Sequence, residues 1–183
     1  MNRYKIFSTE IVTCPSLSRR ESERKAVGKL LAEAFGDGVE LKHDEHGAPK
    51  IKYIHKQTSE NPDTYISISH SSDTCLLAVS DSPIGIDIES GREQLKRVAK
   101  KFLTPDEQKR LSVIASENEI IIFLLKAWTA KEAVFKAASL PKLVISEIEI
   151  NPEFNQASAQ GYRFDLTHPL VSKEKTIAIA TRG

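Results

Sequence analysis

The chain has 183 residues, 40% of them hydrophobic and 28% charged, a composition that supports a packed core and excludes a disordered tail. Lysine and arginine number 26 against 25 acids, for a net charge of +1, so there is no global field to gather nucleic acid and any anion site has to be local. Cys14 and Cys75 lack metal-ligand spacing and read as reduced thiols rather than a disulfide, and the longest apolar run, Ile120 to Leu125, is too short to span a bilayer.

The first stretch, MNRYKIFSTEIV, has no long apolar segment of the secretory kind. The expectation is a soluble, cytoplasmic protein. Residues Tyr4 to Val12 are β-prone, and Ser18 to Phe35 brings Val27, Leu30, Leu31 and Ala34 to helical spacing. Gly36, Gly38 and His46-Gly47-Ala48-Pro49 mark turns around a short strand at Val39 to Lys42. The polar stretch from Ile54 to Asp63, with Asn61-Pro62, reads as a surface loop. Tyr65 to Ser69, Thr74 to Ser80 and Ile84 to Glu89 follow as three short strands, which tight turns would fold into an antiparallel meander.

The texture changes after Glu89. Leu95, Val98, Ala99 and Phe102 recur at helical spacing, and Thr104-Pro105-Asp106-Glu107 places a capping residue before a proline and two acids, a helix start. A longer helix from about Asn118 to Ala138 carries Ile121, Phe123, Leu124, Ala127, Trp128 and Phe135 before Pro141 closes it. Ser146 to Ile150, Tyr162 to Leu166 and Thr176 to Ala180 then read as strands. Each half thus contributes helices and a small antiparallel sheet. The fold class is α+β, divided into an N-terminal lobe of residues 1–89 and a C-terminal lobe of residues 90–183.

Three segments carry chemistry. In Gly85-Ile86-Asp87-Ile88-Glu89 the alternation of a strand puts Asp87 and Glu89 on one face and the isoleucines on the other. Two adjacent carboxylates repel, which favours either exposure at a strand end or a shared cation. Magnesium, a hard ion that takes one or two carboxylates and fills its other positions with water and phosphate oxygens, is the natural cation. Taken alone, a D-x-E would simply be the polar face of an edge strand.

The second segment, Trp128 to Lys136, places Glu132 and Lys136 one helical turn apart. Such a pair is ordinarily a surface feature contributing about 0.2–0.5 kcal/mol. Here Lys126, Lys131 and Lys136 are the only basic residues in a run of core-forming side chains. A carboxylate for a metal and lysines for phosphates would explain them. The third, Ser67-Ile68-Ser69-His70-Ser71-Ser72, ends a strand in groups able to donate hydrogen bonds to phosphate oxygens, although a serine-rich turn needs no function.

In this order the segments resemble the phosphopantetheinyl transferases, specifically the two-lobed, surfactin-synthetase-activating (Sfp) type. The family pattern runs from an SHS turn to G-[IV]-D-[IV]-E, then F-L-[ST]-x-x-E, then W-[ST]-x-K-E-[AS]-x-x-K. Its counterparts are Ser69-His70-Ser71, Gly85 to Glu89, Phe102 to Glu107 and Trp128 to Lys136. Where the family has G-K-P this chain has Gly47-Ala48-Pro49-Lys50, so the lysine is either absent or displaced to Lys50, and the family's arginine in the first long helix falls near Gly28. The glycine after the last lysine is replaced by Ala137-Ala138-Ser139.

The resemblance implies two similar lobes related by a pseudo-twofold axis, the N-terminal one facing coenzyme A, with the active site in the cleft between them. It implies Mg2+ held by Asp87, Glu89 and Glu132 against the pyrophosphate of coenzyme A. Ser69, His70, Lys131, Lys136 and Lys50 would hold coenzyme A, and Asp87, Glu132 and Lys136 would be catalytic. The reaction it implies moves the 4'-phosphopantetheine group to a serine of an acyl or peptidyl carrier protein, in fatty acid or secondary metabolite biosynthesis, and releases 3',5'-ADP. The base for that serine is Glu132 or a metal-bound water. Trp128 is expected to pack rather than to touch substrate, and Glu107 to play a structural part. One chain with two lobes suffices as a monomer, and neither nucleic acid nor membrane is an expected partner. A non-catalytic coenzyme A- or carrier-binding protein of the same fold is the alternative, and a structural or partner-binding α+β protein is a more distant one.

Overall fold

A computed structural model describes residues 4–45, 47–54, 64–91 and 94–183. His46 of the turn read above, and all of the polar loop except Ile54, lie outside the described residues. The elements, in order, are β1 (Tyr4–Glu10), α1 (Arg19–Phe35), β2 (Val39–His43), β3 (Pro49–Tyr53), β4 (Tyr65–His70), β5 (Thr74–Ser80) and β6 (Ile84–Ser90). There follow α2 (Gln94–Phe102), α3 (Pro105–Ser112), α4 (Glu117–Ala138), a 3-10 turn at Ile145–Glu147, β7 (Glu149–Ile150), β8 (Gln156–Ala159), β9 (Tyr162–Val171) and β10 (Lys175–Arg182). The fold is α+β with antiparallel sheets, as its sequence implies.

Helix starts follow local chemistry. Ser18 caps α1 and Thr104 caps α3, each in a reciprocal capping box with the glutamate three residues on, Glu21 and Glu107. Pro105 occupies the first turn of α3, where its missing N–H costs nothing. The helix α4 begins at Glu117 after Ser116 and ends on Ser139 in the left-handed region, with φ of 47°.

The strands form three sheets: β1-β5-β4, β6-β10-β9-β8-β7 and the β2-β3 hairpin. The expected meander therefore breaks at its third strand. β4 pairs with β5, but β6 leaves that sheet and pairs along its whole length with β10, Ile86 opposite Ile179 and Ile88 opposite Ile177. The lobe boundary read after Glu89 consequently cuts the five-stranded sheet. β3 and β8 are strands that periodicity missed, each only four or five residues long, and the strand read at Ser146 to Ile150 is divided between the 3-10 turn and the two-residue β7.

What β6 leaves behind is a seam. Its outward N–H groups at Ile86 and Ile88 are taken by serine hydroxyls of β4: Ile86 N donates to Ser67 Oγ at 3.0 Å and Ile88 N to Ser69 Oγ at 3.2 Å. These side-chain bonds stand in for a backbone ladder and satisfy buried groups that would otherwise be costly. On one side of the seam Ile84, Ile86, Ile88 and Ile179 pack with Leu76 and Ala78 into a small core joining both sheets. A second core gathers α1 residues Ala26, Leu30 and Leu31 over Ile66, Cys75 and Leu77. The largest packs α2, α3 and α4 on the five-stranded sheet. Cys14 and Cys75 are free thiols, and burial pushes Cys75 up to about 11. Among the described residues no helix is long and apolar enough to cross a membrane.

Candidate functional site

The face of β6 that carries Gly85, Asp87 and Glu89 lies against α4. Gly85 makes that approach possible. A Cβ built there would stand 1.9 Å from the carbonyl oxygen of Ala133 and 2.7 Å from the amide nitrogen of Ala137, so no other residue fits without moving the helix. Beyond this contact, α4 presents Trp128, Glu132 and Lys136, which at four-residue intervals form one stripe. Lys136 meets Asp87 and Trp128 meets Glu89.

Asp87 is buried, 5% exposed. The exposed strand-end carboxylate allowed by the sequence is thus corrected: α4 covers it. Its Oδ1 accepts from Lys136 Nζ at 2.8 Å and from Ser69 Oγ at 2.9 Å, while its Oδ2 is buried without a partner among the described residues. Lys136 Nζ also donates to the carbonyl of Ile86 at 3.0 Å, so two of its three protons are used on β6. Glu89 Oε1 accepts from the indole N–H of Trp128 at 3.1 Å, and the Trp128 ring packs edge-on to Phe102 of α2, with centroids 5.1 Å apart. Glu132 is half-buried. Burial raises its carboxyl above the usual range, and the charges of Asp87 and Glu89 push the same way while Lys136 opposes them. Asp87 and Glu89 thus each lie within electrostatic reach of Glu132.

The residues fit a hard divalent cation in one decisive respect: a buried carboxylate oxygen, Asp87 Oδ2, lacks a partner beside two further carboxylates. The three are not drawn around a common point, since among the described residues no three acidic, histidine or cysteine side chains are already grouped as metal ligands. Two carboxylates supplemented by water and phosphate oxygens are the ordinary magnesium set.

The family model described as ACPS, 4'-phosphopantetheinyl transferase superfamily, matches residues 83–177, from the start of β6 well into β10. The chain belongs to this superfamily. A 4'-phosphopantetheinyl transferase of Bacillus subtilis is 30% identical over 128 residues, 66% of this chain and 54% of that protein. The 4'-phosphopantetheinyl transferase gsp of Aneurinibacillus migulanus is 26% identical over 126 residues, 64% of this chain and 49% of its own. Enterobactin synthase component D of Escherichia coli K12 is 36% identical over 80 residues, 43% and 38% of the two chains. The chain spans about half the length of the first two relatives and less of the third.

Within this phosphopantetheinyl transferase fold the expected coenzyme A residues divide. Lys136 sits at the seam. Lys131 does not: it is 0% exposed on the other side of α4, its Nζ 2.8 Å from Glu107 Oε2 and 2.5 Å from the carbonyl of Ile148. Burial lowers its ammonium below the ordinary lysine range, with Glu107 opposing that shift. Lys131, expected to bind coenzyme A, is instead sealed in the core against Glu107 and the Ile148 carbonyl, away from the seam. Glu107 completes the lock, accepting from the N–H groups of Thr104 at 2.9 Å and Ile150 at 3.1 Å, which is the structural part expected of it.

Ser69 is likewise redirected. Its hydroxyl is buried and engaged with Asp87 and Ile88, not offered to a phosphate. His70, next along β4, faces the opposite way, exposed, with Nδ1 3.6 Å from Glu23 Oε1 of α1. Arg19 at the start of α1 donates to the carbonyls of Ser71 at 2.5 Å and Ser72 at 2.7 Å, tying the helix to this turn. Lys50 is exposed on β3, its Nζ 5.9 Å from the Tyr65 ring centre. A groove of about 1110 Å³ between α3 and β7 to β9 is lined by Thr104, Lys109, Arg110, Asn151 and Arg163, among others, and includes none of the expected site residues. It is an open furrow between α3 and the sheet's far strands.

Sequence reasoning missed the Trp128–Glu89 and Ser69–Asp87 bonds. The four-residue interval from Trp128 through Glu132 to Lys136 was a readable sign that the indole shares the carboxylate's face.

Proposed function

We propose that the protein is a holo-carrier-protein synthase: it transfers 4'-phosphopantetheine from coenzyme A to a serine of an acyl or peptidyl carrier protein and releases 3',5'-ADP. The observation that carries this reading is the seam itself, three carboxylates and a lysine brought together by β6 and α4 within the segment that matches the superfamily. Asp87 and Glu132, with Glu89 steered by Trp128, would hold Mg2+, whose chemistry is to neutralise the pyrophosphate charge that repels a nucleophile. Lys136 keeps one proton free of β6 and would give it to a phosphate oxygen. Glu132, whose carboxyl burial raises, or a metal-bound water would accept the serine proton.

In this reading the three-stranded sheet and the five-stranded sheet are the two lobes, related by a pseudo-twofold axis, and coenzyme A enters the cleft along their seam. Exposed His70 and Lys50 on the first-lobe side would meet its phosphates. One chain would then suffice as a monomer, and the free thiols suit a cytoplasmic setting.

The test is direct: incubate the protein with coenzyme A, Mg2+ and a panel of apo carrier proteins and weigh the carriers. A gain of one phosphopantetheine mass that disappears with a chelator is expected. No gain on any carrier, with coenzyme A binding retained in calorimetry, would instead support a non-catalytic binding protein.

A further inference from the structure

Asp87 has an unequal pair of oxygens: Oδ1 receives two donors and Oδ2 none, though both belong to a buried side chain. The inequality has a cause in the first sheet. The Ile88 N–H, 3.2 Å from Ser69 Oγ, occupies a lone pair of the hydroxyl, and its single proton is then directed to Asp87 Oδ1 at 2.9 Å. A carboxylate held on one oxygen by a hydroxyl and an ammonium from two different elements has its plane fixed, and the open lone pairs are those of Oδ2.

We propose that Ser69 is a positioning residue for the divalent cation: reaching across the seam from β4, it holds Oδ1 of Asp87 and leaves the buried Oδ2 for the cation, so that metal retention depends on contact between the two sheets. This rests on the metal-site reading above and adds a residue outside the carboxylate set. Ser67 supplies an internal control. Two residues earlier on the same strand and also buried, its hydroxyl accepts the Ile86 N–H at 3.0 Å, the same kind of backbone bond, but no bond to a carboxylate is found for it among the described residues.

The experiment titrates Mn2+ into the full chain, with and without coenzyme A, reading free Mn2+ by electron paramagnetic resonance. Wild type, Ser67→Ala, Ser69→Ala, Ser69→Cys and Ser69→Thr are compared, and thermal unfolding monitors the fold. Residues that orient metal ligands typically change affinity about 10–100-fold when removed. Ser69→Ala is expected to weaken Mn2+ binding about 10-fold or more, Ser67→Ala less than about 3-fold, and Ser69→Thr to restore most of the loss. Ser69→Cys keeps the volume with a weak donor and reads the same loss should the alanine variant not fold. Equal affinity in Ser67→Ala and Ser69→Ala, with wild type binding well, overturns the positioning role and leaves the metal site standing. No binding by wild type under either condition sinks the metal site and this proposal together.

Discussion

Two lysine–carboxylate pairs flank the same helix and behave as opposites. On one side of α4, Lys131 and Glu107 are 0% and 1% exposed, and Glu107 has its oxygens filled by Lys131 and by the N–H groups of Thr104 and Ile150. On the other side Lys136 is 29% exposed, and Asp87 keeps a bare buried oxygen. The first pair joins α3, α4 and the strand leading to β8 into one body. The second leaves a buried carboxylate oxygen without a donor among the described residues, beside a partly exposed lysine. Equal chemistry and similar distances, 2.8 Å in each, therefore do not mean equal roles; what remains unsatisfied distinguishes the proposed metal site from the staple.

The contrast can be broken from either side. Lys131→Met strands the Glu107 carboxylate in the core, and urea denaturation should show a loss of about 3–5 kcal/mol, the usual consequence of breaking a sealed pair from one side. A loss below about 1 kcal/mol would mean the pair is screened, and the distinction fails. Asp87→Asn should cost little stability, because Lys136 can turn to water, yet lower carrier modification by about 100–1,000-fold, the range for removing a preorganised charge from a reacting centre. Transfer at the wild-type rate would take Asp87 out of the chemistry. Gly85→Ala tests the approach that creates the seam. With its Cβ 1.9 Å from the Ala133 carbonyl it should destabilise by about 1–3 kcal/mol and lower transfer as well, and unchanged stability would show that α4 moves aside freely.

The smallest effect belongs to an exposed pair that calibrates the others, Lys175 Nζ and Asp73 Oδ1 at 2.7 Å. The Lys175 and Thr74 hydrogen bonds draw Asp73 down to about 2 from 3.8. A carboxyl depressed in the folded state contributes stability above its unfolded value and loses it as pH falls toward the folded one. Wild type should thus exceed Asp73→Asn in thermal stability at pH 5 to 7, the gap closing between about pH 4 and pH 2. A gap that widens with acid would contradict the assignment.

The α+β class and the long helices were legible in sequence, because the cap and proline at Thr104-Pro105 and the apolar spacing of α1 and α4 are local signals. So were the candidates Asp87, Glu89, Glu132 and Lys136, through strand alternation and the helical turn. Short strands such as β3 and β8 were not, since four or five residues carry too little periodicity.

What only tertiary structure decided was partnership. Sequence placed β6 with its neighbours in the chain, but hydrogen bonding gave it to β10, nearly ninety residues on, and so set the two sheets edge to edge at Ser67 and Ser69. It likewise decided that of two lysines five residues apart one is sealed and the other faces the seam: a half-turn of helix separates core from seam, and which half is which depends on what packs against it.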